Sequence, residues 1–166
     1  GLLVIEEADA SAADAMLVLN NMLANGYGAF PDGHVKMSPG FLCVCCTNTD
    51  GSGATMQYSG RQRLDGAFLD RFVNQEWAID PAIEKIDARG HSEWLLAVRA
   101  VRAYATSSGI LDVVATPRAV KFGAKLIEAG EERDEVLRSC LKRGAWNDQW
   151  PNVLALPAVA DFLAGF

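Results

Sequence analysis

The chain has 166 residues, 50% apolar and 22% charged, which favours one globular domain or one compact body with a small appendage. No apolar run approaches the roughly 20 residues that span a bilayer and no secretory leader is evident, so we expect no membrane segment and no secretion signal. Residues 1–80 contain ten acidic and four basic side chains and so account for the net charge of −6, because the charges of residues 81–166 cancel. This acidic first half argues against sequence-independent DNA binding.

Residues 1–80 are predicted to alternate between strands and helices. The apolar run Leu2–Ile5 predicts a buried parallel strand, and the helical spacing that follows predicts a helix over about 11–25, capped by Asp9 or Ser11. The other elements predicted here are a hairpin turning at 30–33, a buried strand at 41–46, a loop at 47–60, a short helix near 64–69 and a third strand at 72–79. The strands at 2–5, 41–46 and 72–79 are expected to form one parallel sheet.

Three of the four cysteines fall in the strand at 41–46. On a strand Cys43 and Cys45 share one face while Cys46 points to the other. Their spacing does not provide the two Cys pairs of a zinc site, because Cys140 stands alone. We predict that the cysteines act as small buried apolar residues in a reduced, cytoplasmic setting.

The pattern changes at Asp80-Pro81, after which helical periodicity dominates. The predicted helices lie at about 81–88, 91–107, 117–129 and 131–142, with a Trp-rich tail and a short helix near 157–164. The four tryptophans, Trp77, Trp94, Trp146 and Trp150, are expected to anchor this helical core. The sequence therefore predicts an α/β core over 1–80 followed by an α-helical lid over 81–166.

Two acids, Glu6 and Glu7, directly follow the first predicted strand. In P-loop ATPases an apolar strand ends in two acids, of which the first holds the water shell of Mg²⁺ and the second polarises the attacking water. The first acid is usually Asp, so Glu6 is longer by one methylene. Two glutamates at a helix start also complement the helix dipole, which leaves a structural interpretation open.

An ordered series of motifs over about residues 1–130 resembles AAA+ ATPases of the MoxR/CbbQ, or midasin-like, type. The matching segments are Gly1-Leu-Leu-Val-Ile-Glu-Glu7 for Walker B, Phe30-Pro-Asp-Gly33 for the hairpin turn, Phe41-Leu-Cys-Val-Cys-Cys-Thr-Asn48 for the strand that ends in sensor 1, Leu64-Asp-Gly-Ala-Phe-Leu-Asp-Arg-Phe72 for the arginine-finger box, and Thr116-Pro-Arg118 for sensor 2.

The resemblance implies a partial P-loop NTPase sheet with a helical lid, and roles in ATP hydrolysis. Glu7 would activate water, Asn48 would orient it, and Glu6 would hold Mg²⁺ through water. Arg71 would be an arginine finger acting on a neighbouring subunit, with Arg61 as a weaker second candidate. The resemblance also assigns Arg118 to the nucleotide as sensor 2.

These residues also have structural interpretations. Asn48 lies in a turn-prone sequence, and Arg71 could form a surface ion pair with Asp70 or Glu76. Arg118 could simply face solvent in the first turn of its helix.

The 166 residues contain no Gly-x4-Gly-Lys-Ser/Thr sequence, so the resemblance is to a domain without its Walker A loop. We expect this chain alone to bind ATP weakly and not to hydrolyse it. A sheet without its phosphate-loop strand is also expected to expose apolar surface that favours pairing with a partner.

Two functions remain open at this point. The resemblance implies a ring-forming motor that hydrolyses ATP to remodel a protein client, with a von Willebrand-type protein as a possible partner. The alternative is a non-catalytic helical protein-interaction module with a degenerate nucleotide site. A DNA-processing ATPase is disfavoured by the acidic first half.

Overall fold

The computed structural model describes residues 1–110, 114–142 and 148–165, which divide into two units, Gly1–Glu76 and Trp77–Phe166. Together they form a mixed α/β chain with a small parallel sheet and many helices. The sequence predicted a change of pattern after residue 80, and the two units are divided between Glu76 and Trp77. None of the helices in the described ranges combines the length and apolar character that a membrane crossing requires.

The first unit is built on two parallel strands and a hairpin. Its elements are β1 (Leu2–Ile5), a 3-10 turn (Ala8–Ala10), α1 (Ala13–Asn25), β2 (Tyr27–Phe30), β3 (Gly33–Lys36), β4 (Leu42–Cys45) and α2 (Gly66–Leu69). Strand β1 pairs with β4 in parallel register, Leu2 opposite Leu42 and Ile5 opposite Cys45. The antiparallel pairing of β2 with β3 confirms the predicted hairpin.

The β1–β4 sheet has one covered and one open face. Ile5 and Cys45 pack against a small core of Ala8, Met16, Leu64 and Phe68. The alternate residues of both strands, Leu2, Val4, Leu42 and Val44, are exposed. The expectation of fully buried strands is therefore wrong for this face, because α1 and α2 supply apolar cover on the other side only.

The cysteines follow the alternation predicted for a strand. Cys43 and Cys45 are half-buried, whereas Cys46 is exposed and does not fit the expectation of buried cysteines. Burial, reinforced by the neighbouring Cys43, raises the pKa of the Cys45 thiol to about 12, so this thiol stays neutral and unreactive.

The predicted third strand at 72–79 does not form. This segment has no regular secondary structure, and Val73 and Trp77 in it are 97% and 88% exposed. Apolar composition alone suggested a strand, but a strand needs a neighbour for its backbone N–H and C=O groups. The prediction of three parallel strands in one sheet is wrong, and the described sheet has two.

The second unit is helical, as predicted. Its elements are α3 (Pro81–Asp87), α4 (Ser92–Ser107), α5 (Pro117–Glu128), α6 (Arg133–Leu141), α7 (Trp150–Leu154), which was expected only as a Trp-rich tail, and α8 (Pro157–Ala164). Asp80 caps α3 by accepting a hydrogen bond from the Ala82 N–H, and Pro117 begins α5. Thr116 occupies the N-cap position of α5 but makes no side-chain cap hydrogen bond.

Two tryptophans anchor the helical core. Trp94 and Trp150 are buried, and the Trp94 ring lies 5.0 Å from that of Phe162 on α8. Trp77 is exposed, so its predicted core role is wrong, and Trp146 lies outside the described residues. The helical unit thus has its own apolar centre.

Candidate functional site

The candidate site lies where β1 and β4 end, in the first unit. Parallel strands bring their carboxyl ends to the same edge of the sheet. Two backbone hydrogen bonds hold the segments that follow the two strands together beyond this edge. The Cys46 N–H donates to the Ile5 carbonyl at 2.8 Å, and the Ala8 N–H donates to the Cys46 carbonyl at 3.1 Å. The segment after β1 and the segment after β4 therefore run side by side.

Glu7 and Asn48 meet at this edge. The Asn48 Nδ2 atom donates a hydrogen bond to Glu7 Oε1 at 3.3 Å. The side chain of Glu7 is 56% exposed, so one side of its carboxylate is open to solvent. Its backbone is left-handed, with φ 56° and ψ 38°, a region that costs a residue other than Gly about 1–3 kcal/mol. The surrounding contacts hold Glu7 in a conformation that it would not otherwise prefer.

Asp9 is the buried anchor of the cluster. Its Oδ2 atom accepts hydrogen bonds from the Asn48 N–H at 3.2 Å, the Thr49 N–H at 3.1 Å and the Thr49 hydroxyl at 2.8 Å. Asp9 was predicted as a possible cap of the helix that follows, but α1 has Ala12 at its N-cap position and no side-chain cap. Asp9 instead fixes the loop that carries Asn48.

Arg61 bridges the two carboxylates of this cluster. Its Nη1 atom forms an ion pair with Glu7 Oε2 and lies 3.5 Å from Asp9 Oδ1. Asp9 Oδ1 is buried and has no hydrogen bond within the described part of the chain, so this ionic contact is its main compensation. The Arg61 guanidinium is also 5.9 Å from the centre of the Tyr58 ring, and its side chain is only 14% exposed.

The backbone also holds Arg61 in place. The N–H of Gln62 donates to the Asp9 carbonyl at 2.7 Å, which ties the loop carrying Arg61 to the turn carrying Asp9. The structure thus brings Glu7, Asn48 and Arg61 into one cluster.

Glu6 and Arg71 lie outside this cluster, and Arg118 belongs to the other unit. Glu6 is exposed, and no hydrogen bond or ion pair joins its side chain to another described residue. The Arg71 side chain is exposed and its Nε atom donates to Asn20 Oδ1 on α1, so the alternative of an ion pair with Asp70 or Glu76 is wrong. Arg118 is exposed at the start of α5, in the other unit.

Glu6 is the acid that the sequence analysis assigned to Mg²⁺ through water, and the described acids form no metal site of protein ligands alone. The described residues contain no group of three or more His, Cys, Asp or Glu that could hold an ion. Mg²⁺ at nucleotide sites keeps several waters and takes one or two carboxylates besides phosphate oxygens. The exposed, unpaired carboxylate of Glu6 fits such a water-mediated role.

No family model, no curated protein and no solved structure matches the chain. Interpretation of the site therefore rests on its own geometry. That geometry places the half-exposed side chain of Glu7 beside the amide donor of Asn48 and the largely buried guanidinium of Arg61.

Sequence reasoning missed Asp9 and Thr49 as parts of the site. The one available signal was a third acid, Asp9, two residues after the Glu6-Glu7 pair. Its burial depends on Thr49, which lies 40 residues along the chain, so no local pattern reveals it.

Proposed function

We propose that this chain supplies the water-activating part of the ATP hydrolysis site of an AAA+ motor of the MoxR/CbbQ type. The observation that carries the proposal is the contact of Glu7 with Asn48 at the carboxyl ends of two adjacent parallel strands. Ligands of open α/β sheets bind at this edge, and hydrolysis of a nucleotide there requires a carboxylate and a polar group that act on one water.

The exposure and charge of each residue would determine its role in hydrolysis. The open side of the Glu7 carboxylate would accept a hydrogen bond from water and polarise it, while the Asn48 amide would fix the orientation of both. Glu6 would hold a water of the Mg²⁺ shell. Bound Mg·ATP would supply the phosphoryl group, and its Mg²⁺ would neutralise the negative charge of the phosphate oxygens.

Other parts of the assembly would complete the site. Since the 166 residues contain no phosphate-binding loop sequence, that loop would come from residues outside this chain. Arg71 would act as a finger on the nucleotide of a neighbouring subunit in a ring, and Arg118 would contact the nucleotide from the lid. The motor would work in the cytoplasm on a protein client, with a von Willebrand-type protein as a possible partner.

A second candidate function is a non-catalytic protein-interaction module. The observation that favours it is the ion pair of Glu7 with Arg61, since a structural carboxylate would be neutralised in the same way. The exposed apolar residues on the open face of the β1–β4 sheet would then contact a protein partner.

ATP hydrolysis by the polypeptide as its gene encodes it separates the two functions. Its rate is measured for the wild type, for Glu7→Gln and for the control Glu131→Gln. Glu131 is exposed, and its side chain makes no hydrogen bond or ion pair with another described residue. The motor predicts hydrolysis that Glu7→Gln lowers about 10²–10⁴-fold and Glu131→Gln leaves unchanged. No hydrolysis, or equal hydrolysis by Glu7→Gln, supports the module.

A further inference from the structure

The outer face of α5 combines positive charges with a large apolar side chain. The helix packs into its unit through small residues, Ala119, Val120, Gly123 and Ala124. Exposed residues at helical spacing form the opposite face, namely Arg118, Lys121, Phe122 and Lys125. Phe122 is 55% exposed, so packing within the unit does not account for an aromatic residue at this position.

Helix α3 packs beside α5 and extends this surface. The Nζ atom of Lys121 lies 3.8 Å from Oδ1 of Asp87, and this contact joins the two helices. The residue before Asp87 is Ile86, which is 75% exposed, and the residue after Lys121 is Phe122. Large exposed apolar side chains are therefore the sequence neighbours of both residues in the contact. We refer to Ile86, Lys121, Phe122 and Lys125 as the α3–α5 surface.

The two lysines of this surface are free to pair with a partner. Lys125 is exposed, and no hydrogen bond or ion pair joins it to another described residue. The acid on the same helix, Glu128, is paired with Arg89 at 2.8 Å, and that guanidinium lowers the pKa of Glu128. The contact of the half-exposed Lys121 with Asp87 is worth little free energy, so this amine can exchange its partner. The surface is locally positive in a chain whose net charge is −6.

We propose that the α3–α5 surface binds an acidic amphipathic helix of a partner protein. Carboxylates of the partner pair with Lys121 and Lys125, and its apolar side chains cover Ile86 and Phe122. Because the two apolar residues lie on neighbouring helices, the partner has to present apolar side chains at several positions, as the i, i+3 and i+4 residues of a helix do. The proposal does not depend on ATP hydrolysis, and it leaves Arg118 to the nucleotide.

Charge complementarity favours a short acidic segment over a nucleic acid or an anionic membrane. A long polyanion or a charged bilayer meets much of the protein surface, and the net charge of −6 repels it. A helix of a few turns contacts the α3–α5 surface alone. It therefore gains the attraction of the two lysines without the repulsion from the rest of the chain.

The probe is a designed, fluorescein-labelled helical peptide in which glutamates flank a stripe of leucines. Two companion peptides have the same length; one replaces every leucine with serine and the other replaces every glutamate with lysine. Binding to the polypeptide as its gene encodes it is measured by fluorescence anisotropy. We expect the first peptide to bind at least about tenfold more tightly than either companion, because it alone offers both negative charge and apolar surface.

Two variants with matched controls locate the binding. Phe122→Ser is expected to weaken it about tenfold or more, whereas Leu96→Ser, which removes an apolar side chain 56% exposed on α4, leaves it unchanged. Lys125→Glu weakens it about tenfold at about 0.1 M salt and much less at about 1 M, where the Debye length is only about 3 Å. Lys36→Glu, at an exposed position of β3, has no effect. All four side chains are exposed, and far-UV circular dichroism checks that the variants fold.

Three results would overturn the proposal. One is no binding of the glutamate–leucine peptide at about 1 mM. Another is binding that the control variants weaken as much as Phe122→Ser and Lys125→Glu do. The third is a single-stranded oligonucleotide or a phosphatidylserine vesicle that binds more tightly than the peptide and is released by the same two variants, which would assign the surface to another class of partner. None of these results bears on whether the polypeptide hydrolyses ATP.

Discussion

The side-chain amide of Asn48 lies 3.3 Å from a carboxylate oxygen of Glu7, although 41 residues separate them in the sequence. The parallel pairing of β1 with β4 brings the two strand ends together, and the buried Asp9 carboxylate accepts a hydrogen bond from the Asn48 backbone N–H. The contact is therefore determined by the fold of the first unit, and its geometry can be disturbed at Asp9 without touching either partner.

The first prediction concerns stability of the first unit. Asp9→Ala leaves the Asn48 N–H, the Thr49 N–H and the Thr49 hydroxyl without their acceptor, and we expect a loss of about 2–4 kcal/mol in the free energy of unfolding. Because no Trp precedes Trp77, unfolding is followed by urea titration with far-UV circular dichroism, and locally by amide exchange of Thr49.

Asp14→Ala is the control for this prediction. Asp14 is exposed on α1, and its loss is expected to change the free energy by less than about 0.5 kcal/mol. Equal stability of the Asp9 and Asp14 variants would show that Asp9 does not anchor the loop.

A second prediction concerns the close approach of α4 to α5. A Cβ added to Gly123 would lie 2.2 Å from Cε2 of the fully buried Trp94, whose indole N–H donates to the Val120 carbonyl at 3.0 Å. Gly123→Ala therefore forces the ring to move, and we expect a loss of about 1–3 kcal/mol despite the better helix propensity of Ala. Trp fluorescence in urea measures it.

Gly66→Ala, in α2 of the first unit, is the comparison, and its unfolding is followed by far-UV circular dichroism because no Trp precedes Trp77. Gly66 is also helical, and a Cβ there would meet no atom within 4 Å. If Gly123→Ala costs the helical unit no more stability than Gly66→Ala costs the first unit, the close packing of α5 on Trp94 is refuted.

A third prediction concerns Glu84, a buried carboxylate on α3. Burial alone would raise its pKa, but hydrogen bonds and charge from Arg102 and Arg99 outweigh burial and hold the pKa below its ordinary value. Arg99 also donates to the Pro81 carbonyl and Arg102 to that of Ala115, so the carboxylate ties three segments of the helical unit together.

The sign of the pH dependence follows from the lowered pKa. A carboxylate with a lowered folded pKa contributes stability that is present above its unfolded value, about 4.3, and is lost as the pH falls through the folded value. We expect Glu84→Gln to cost about 3 kcal/mol at pH 7 and to flatten the fall in stability below pH 4.3. Glu128→Gln, which breaks only the exposed pair with Arg89, should change the neutral midpoint little. A wild-type acid dependence retained in Glu84→Gln would contradict the assignment.

Local signals predicted the hairpin and the helices, because turn residues and helical periodicity act over a few positions. The strand predicted at 72–79 failed because strand formation depends on a neighbour that local composition does not reveal. The position of Glu7 beside a strand end was predictable from the apolar run before it. The ion pair of Glu7 with Arg61 was not predictable, because the two residues are 54 positions apart in the sequence and are brought together at the buried Asp9.

A fourth prediction concerns Arg71, whose side chain is exposed and bonded to Asn20 rather than to the Glu7 cluster. If Arg71 acts on a neighbouring subunit, mixing Glu7→Gln with Arg71→Ala subunits of the encoded polypeptide restores part of the ATPase activity that each lacks alone. A finger of this kind contributes about 10³–10⁵ in rate in other nucleotide hydrolases. Demonstrated co-assembly of the two variants without any recovered activity would exclude Arg71 as a finger in trans.

The central claim is that Glu7 and Asn48 act on one water, and a double-mutant cycle in kcat tests it most directly. In the encoded polypeptide, Glu7→Gln is expected to lower kcat about 10²–10⁴-fold and Asn48→Ala about 10²-fold, with ATP binding retained. Because the two side chains would work as one unit, the double variant should be no more than about threefold slower than Glu7→Gln alone. A double variant slowed by the product of the two single effects would contradict the shared water and, with it, the proposed site.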